Sequence, residues 1–367
     1  MSKAYDAIVV GGGMLGSAIG LGLAKSGLKT VLLDEGDSAF RAALGNFGLV
    51  WVQSKGAGFP SYADWTMRSS DLWAGFAKDL TEETGINLSY SRPGGVHLCL
   101  SEEEFEARAE QTATLSGHQN GRFTHKMLDR HELTDMLPGL GEQVVGGSYS
   151  PHDGHVSPLF LMRAMQQTYL KLGGVIEKGQ RVVDIQKQGQ GVLVQAEQSG
   201  FTGERLVLAA GLGNRELAPM IGLEQPVTPI KGQVMVTERL PARFTLPMTQ
   251  IRQTGEGTIM IGDSHEDVGF DTRSTPEVMR TIADRARRSF PFLEQVGLVR
   301  SWAALRVMTP DGFPIYDQSE TVPGAFTASC HSGVTLAAAH SIDFARDVVE
   351  GRLSPQLTPM GARRFHV

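Results

Sequence analysis

Apolar positions at the start of this chain come in unbroken runs rather than in alternation. Residues 7–10 form a short β-branched run, the pattern of a parallel strand buried on both faces. Glycine then occupies 11, 12, 13 and 16, and an apolar stretch predicts a helix to about Ser26, ended by Gly27. A second strand, 29–33, runs into Asp34 and Glu35. Residues 36–61 predict a long glycine-rich loop. Over 62–84, Trp65, Leu72, Trp73, Phe76 and Leu80 fall near helical spacing, with Gly85 as the stop.

From 88 the texture changes. Residues 88–100 are strand-like with a break at Pro93-Gly94-Gly95, and 101–116 predict an exposed helix with Ser101 and Glu104 as a capping box. An acidic helical stretch over 128–137 stops at Pro138-Gly139. Ser157-Pro158 opens a helix that ends at Gly173-Gly174. Strands are predicted over 175–185, 191–198, 204–210, 226–238, 250–264 and 325–329, with an amphipathic helix over 276–290 and a final helix starting near Gly333. Strands that alternate with helices at the front and gather in a run further on predict two domains, one of them returning to the sheet late in the chain.

The first 35 residues carry the strongest chemistry. Gly11-x-Gly13-x-x-Gly16 lies between a strand and a helix. The first glycine permits the tight turn, the second lets backbone approach a pyrophosphate, and the third lets helix lie on strand. The helix N-terminus then faces the phosphates with its N–H groups and dipole. An acid about 20 residues further on accepts from a ribose hydroxyl, and Asp34 is preferred to Glu35 because it directly follows the apolar strand. This points to a dinucleotide. A signal peptide or membrane span fits 8–24 poorly, because glycines dilute the apolar run.

In the loop that follows, Arg41 is placed to pair with a phosphate and the glycines to pass close to a ligand. Ala210 and Gly211, at the end of the 204–210 strand, suggest a second close approach. His152, Asp153 and His155 cluster before a helix without a further ligand nearby, so they read as turn formers and no metal is expected. A net charge of −6 with a pI near 5.9 argues against nucleic acid. Cys99 and Cys330 read as reduced thiols of a cytoplasmic protein, and two cysteines are too few to hold an iron–sulfur cluster.

Taken together, GGGMLG with its terminal acid, GNFGLV, LVLAAGLGN and ALRVMTPDGFP…CHSGVTLA occur in that order across the chain. They resemble the FAD-dependent D-amino-acid oxidase, glycine oxidase and sarcosine oxidase superfamily. Within it, the NFGLVWVQ-x-KG run is most similar to the FAD-carrying β subunits of opine (octopine or nopaline) oxidases. The resemblance implies an α/β (α+β) fold: a discontinuous Rossmann-like FAD-binding domain over 1–87, 148–222 and 300–367, and a mixed-sheet substrate domain over 88–147 and 223–299.

It also implies roles. Gly11, Gly13, Met14, Leu15 and Gly16 would hold the pyrophosphate, and Asp34, with Glu35 beside it, the adenosine ribose. Arg41, Ala42, Asn46, Phe47, Gly48 and Leu49 would line the pyrophosphate, ribityl chain and flavin ring. Val182 would meet the adenine, and Ala210 and Gly211 would pass close to the cofactor. Ser332, Gly333, Val334 and Thr335 would offer backbone donors to the flavin N1/O2 edge, where charge collects on reduction. Arg306 falls on the arginine that grips a substrate carboxylate, and Arg252 is a weaker candidate for a second one. Met308 and Thr309 stand where covalent-flavin relatives have cysteine, so FAD is expected to be non-covalent. Ala43 replaces a common Ser or Thr, and His331-Ser332-Gly333 lacks an extra arginine of glycine oxidases, which counts against simple glycine-like substrates.

The implied reaction is oxidation of the C–N bond of an opine-like secondary amine, by hydride transfer to flavin N5 and hydrolysis of the imine. Orientation matters more than a strong base, so no general base is assigned, although His331 is placed to assist deprotonation. The β-subunit resemblance implies a heteromeric complex with a second redox subunit carrying FMN or an iron–sulfur centre, located in the cytoplasm or at the inner membrane through that partner. Alternative substrates are D-amino acids, hydroxyproline, proline, glycine, sarcosine or a hydroxy acid. Other classes of reading are a nicotinamide-dependent dehydrogenase and a non-catalytic flavoprotein scaffold.

Overall fold

The computed structural model describes residues 3–36, 42, 43 and 45–366. Its organising element is the strand Lys3–Val10, central in a sheet ordered Ile315–Gln318, Ala325–Ser329, Gly200–Leu208, Lys3–Val10, Thr30–Asp34, Val175–Lys178. Four of these five pairings are parallel, and the one at the edge between Ile315–Gln318 and Ala325–Ser329 is antiparallel. Residues Ala7, Ile8 and Val9 are fully buried, which is why the run is continuously apolar. Ala7 and Val9 face a cluster with Leu15, Ile19 and Leu23 of the helix Met14–Lys25. Ile8 and Val10 face the other way, onto Val192, Val194 and Phe201. Burying one such branched side chain stabilises the fold by about 1.5–3 kcal/mol relative to exposure.

A second layer contains a four-stranded sheet ordered Ile251–Gln253, Thr258–Gly262, Thr228–Arg239, Leu298–Met308, and a three-stranded sheet ordered Gly95–Cys99, Gly146–Ser150, Lys126–Asp129. One apolar cluster joins Val96, Leu98 and Leu128 to Met235, Met248, Ile261, Ile282 and Phe290. No helix among the described residues is long and apolar enough to cross a membrane.

Several expected elements differ in detail. The expected strand over 175–185 is two, Val175–Lys178 and Val182–Gln188, separated at Gly179, whose φ is +69°. The expected strand over 250–264 is a hairpin, Ile251–Gln253 with Thr258–Gly262. Ser101 accepts from Glu104 N at 3.2 Å, but the Glu104 carboxylate turns to Leu100 N and to Arg285, so the capping box there is only half formed. The complete box is Asp129 with Glu132. Regular helix after Gly333 begins only at Ala337, and the turn continues through a π segment, His340–Phe344. The cause is Ser69, whose hydroxyl stands between two helix partners: it donates to Thr335 O at 2.7 Å and accepts from Ala339 N at 3.3 Å.

Candidate functional site

Two ends of the chain meet at the glycine turn. Gly11, at φ +110°, lies against Ala209, where a Cβ would come 2.3 Å from the carbonyl oxygen. Beyond it Gly13 faces open space, with nothing within 4 Å of where its Cβ would be. The Gly12 N–H donates to Asp34 Oδ2 at 2.8 Å and the Gly36 N–H to Oδ1 at 2.9 Å, which fixes the carboxylate beside the turn. Glu35 is exposed. From the far end of the sequence, Gly333 approaches so closely that its Cβ would stand 3.5 Å from that of Met14. Leu15 and Gly16 are buried in the helix that starts at Met14.

The middle of the chain closes the same region. Ala209 is buried, Ala210 donates its N–H to Asn214 Oδ1 at 2.9 Å, and the fully buried Asn214 amide donates to Leu208 O, Ala328 O and Ser329 Oγ. This latches the ends of two central strands together. Gly211 has φ +61° and lies near Val307 of the strand Leu298–Met308. Val182 is buried at the start of its strand.

Between the two sheets opens a cleft of about 1100 Å³, its mouth included. Ala42, Asn46, Phe47 and Leu49 line it from one loop, Gly232 and Val234 from one strand, and Arg306 from its neighbour. His331, Ser332, Val334 and Thr335 line it from the turn before the last helix. Gly48, at φ +89°, packs its backbone near Val156 O rather than facing the cleft. Arg41 lies outside the described residues.

Arg306 is only partly engaged by the protein. Nη1 donates to Ser264 O at 2.7 Å and to Lys231 O at 3.4 Å, and Nη2 pairs with Asp263. Nε makes no hydrogen bond to protein among the described residues. The guanidinium therefore keeps donor capacity for a carboxylate.

Two expectations about charged groups need correction. Arg252 does not line the cleft and is not a solvated strand charge. It is buried, donates through Nε to Phe47 O and through Nη2 to Met260 Sδ at 3.1 Å, and so fixes the backbone of the loop that lines the cleft. Burial lowers its pKa to about 10. His331 lines the cleft, but its pKa is driven well below the usual imidazole range, first by the charge of Lys55 and then by burial and Arg306. The charges of Lys55 and Arg306, with burial, thus oppose protonation of the ring. Its Nδ1 lies 3.3 Å from Ser332 Oγ, which in turn is 2.7 Å from Tyr62 OH.

Lys55 was not singled out by the sequence reading. It lines the cleft, and its side chain has no hydrogen-bond or ion-pair partner among the described residues. Desolvation lowers its pKa to about 8. A signal existed: Lys55 is the single charged residue in the otherwise apolar and glycine-rich stretch 45–60. Its loop is pinned from beneath. Asp153 Oδ1 accepts from Val52 N at 2.5 Å and Gln53 N at 3.3 Å, and Oδ2 from Gln53 Nε2 at 2.6 Å. Arg108, itself buried, donates to Gln53 O, Ser54 Oγ and Ser148 Oγ at 2.7–3.0 Å. Asp153 is therefore a loop anchor rather than a helix-entry turn former.

The cleft suits FAD on the chain's own terms. The turn with Ser332, Val334 and Thr335 lines it beside apolar Phe47, Leu49, Val234 and Ala304, and Gly333 of that turn meets Met14 at the open glycine turn. The Trp51 indole N–H, buried in the lining, has no acceptor among the described residues, so a bound molecule or water must supply one. Comparison with known proteins agrees. The opine oxidase B subunit of Agrobacterium tumefaciens (strain Ach5) is 41% identical over 362 residues, 98% of each chain. That of Rhizobium meliloti is 41% identical over 361 residues, 98% of this chain and 97% of the relative. The crystal structure of glycine oxidase from Geobacillus kaustophilus superposes with a TM-score of 0.88 at 26% identity, covering 98% of both chains. The profile of the DAO family, described as FAD dependent oxidoreductase, matches residues 6–345, and with relatives this similar over nearly their whole length the chain belongs to that family.

Proposed function

We propose that this chain oxidises the C–N bond of an amino-acid derivative, an opine-like secondary amine, as the FAD-carrying catalytic subunit of a heteromeric complex. The observation that carries the reading is the partly engaged Arg306 in the cleft wall, whose Nε has no protein partner among the described residues. Similarity to the opine oxidase B subunits supports the substrate class and, since those relatives are named as subunits, a partner chain. With Cys99 and Cys330 its only cysteines, the chain would leave any iron–sulfur centre to that partner.

In this reading Gly11, Gly13, Met14, Leu15 and Gly16 hold the pyrophosphate, Asp34 the ribose, and Val182, Ala210 and Gly211 flank the adenine half. Asn46, Phe47, Leu49 and Ser332 to Thr335 surround the flavin ring. The substrate domain, expected over 88–147 and 223–299, extends through the strand Leu298–Met308, which completes its four-stranded sheet, and forms the roof. When bound, FAD supplies a two-electron acceptor for a hydride leaving the carbon beside an amine. Arg306 binds the substrate carboxylate and so fixes the position of that carbon. Neutral His331 adds no charge beside the amine, whose lone pair must be free. The apolar walls, Phe47, Val234 and Ala304 among them, exclude water from the reacting face.

The test is anaerobic bleaching of the flavin band at about 450 nm by octopine, nopaline, D-amino acids, hydroxyproline, proline and sarcosine. Rapid bleaching by the opines supports the reading. Bleaching by simple amino acids alone transfers it to the glycine oxidase type, and bleaching by none of them refutes amine oxidation. Purified without a partner, the chain should turn over slowly in air; fast peroxide release refutes the heteromer.

A further inference from the structure

We propose that Lys55 receives a second carboxylate of the substrate, so that the cleft selects N-carboxyalkyl amino acids, diacids with the amine between their two acid groups. The inference rests on the amine-oxidising reading above and deepens it. Its basis is an imbalance of charge. Among the described residues the cleft wall carries two cations and one carboxylate: Arg306 and Lys55 against Asp263. Asp263 pairs with Arg306, whereas the Lys55 ammonium has no partner among the described residues. A desolvated, unpaired ammonium is costly to keep in a folded protein. Here it is nevertheless held in place from beneath, by the buried Asp153 and Arg108 network that anchors residues 52–54.

The second cation is thus Lys55, which lines the same cleft as Arg306 from a different stretch of the chain, and not the buried Arg252. Two cations from separate elements of one cleft fit a ligand that carries two anionic groups. The groups that bear on Lys55 are Arg306 and Asp263 from the roof, Cys330 from the turn after Ala325–Ser329, and Asp153 beneath the loop. Its charge in turn acts on His331. Among these only Asp263 and Asp153 are acids. The first is committed to Arg306 and the second to Val52 and Gln53. Carboxylate binding at Lys55 needs no internal ion pair to break.

The experiment uses FAD-loaded enzyme and two unreactive probes that differ by one carboxylate, diglycolate and methoxyacetate. Both carry an ether oxygen where the substrate has its amine, and binding is read as the perturbation of the flavin absorption band. Wild-type protein should bind diglycolate more tightly than methoxyacetate. In Lys55→Met the diglycolate affinity should fall roughly 10- to 100-fold, the range of one lost charge-assisted hydrogen bond. Methoxyacetate should change by less than about 3-fold, well under that range. Lys55→Arg should retain most of the preference. Equal loss for both probes, or no loss for either, overturns the proposal, as does failure of wild-type protein to bind diglycolate. Because no turnover is needed, an enzyme that binds diglycolate through Lys55 yet is bleached by no amine refutes amine oxidation and leaves the diacid site standing. Flavin content of each variant shows that the fold is intact.

Discussion

Replacement of Arg306 by methionine is the most direct challenge to the site. The guanidinium donates to Ser264 O and Lys231 O and pairs with Asp263. The Asp263 side chain is 50% exposed, so water can take over its solvation, and the structural loss from the broken ion pair should stay within about 1 kcal/mol. The substrate loses more. A carboxylate bound by two guanidinium N–H groups makes two charge-assisted bonds, whose joint loss is on the order of 3 kcal/mol, less than twice the single-bond value because the bonds share one anion. At about 1.4 kcal/mol per decade this weakens binding roughly 150-fold. Anaerobic stopped-flow reduction across substrate concentration separates the dissociation constant from the limiting rate. The constant should rise by about two decades, with the limiting rate falling less. Arg306→Lys should recover only part of the affinity, because an ammonium supplies charge without the planar fork. A dissociation constant within threefold of wild type (about 0.7 kcal/mol), in a variant that keeps its flavin, would falsify the assignment of Arg306 as the carboxylate anchor.

Further outcomes follow from the same geometry. Gly16→Ala should give a colourless protein, since the added methyl would stand 1.8 Å from Gly11 O; the check is the ratio of flavin to protein absorbance. Arg108→Met strands Gln53, Ser54 and Ser148 and should destabilise the FAD-loaded protein by about 1–3 kcal/mol in urea denaturation, the cost of leaving buried neutral acceptors unpaired. Diglycolate affinity should fall as pH rises through about 8. Lys55 carries its charge below that value and loses it above, and the probe has no amine of its own to titrate. His331→Asn should leave the pH profile of flavin reduction unshifted between about pH 5 and 8, the usual imidazole range, because the ring is already neutral there.

The parts of the site built from local sequence could be read directly. The glycine turn, the acid at the end of Thr30–Asp34 and the helix entry at Ser157-Pro158 each depend on neighbours within a few residues. Side-chain assignments that depend on distant partners were harder to read. Whether Arg252 faces solvent, substrate or Phe47 is decided by a loop about 200 residues earlier in the chain. Lys55 became visible only once the strand Leu298–Met308 placed Arg306 in the same cleft. The late start of the last helix is likewise a tertiary effect, imposed by Ser69 from another helix.

The order of strands in the central sheet also bears on how the molecule is made. Lys3–Val10 has Gly200–Leu208 as one neighbour, and that strand in turn waits for Ala325–Ser329. During synthesis the nucleotide turn therefore emerges well before those two strands and stays open-sided until Ala325–Ser329 has left the ribosome, with the turn that meets Met14 following that strand. Coenzyme capture thus waits on a segment far downstream, and nascent chains released before Thr335 should be apoproteins with unsatisfied sheet edges, natural clients for chaperones.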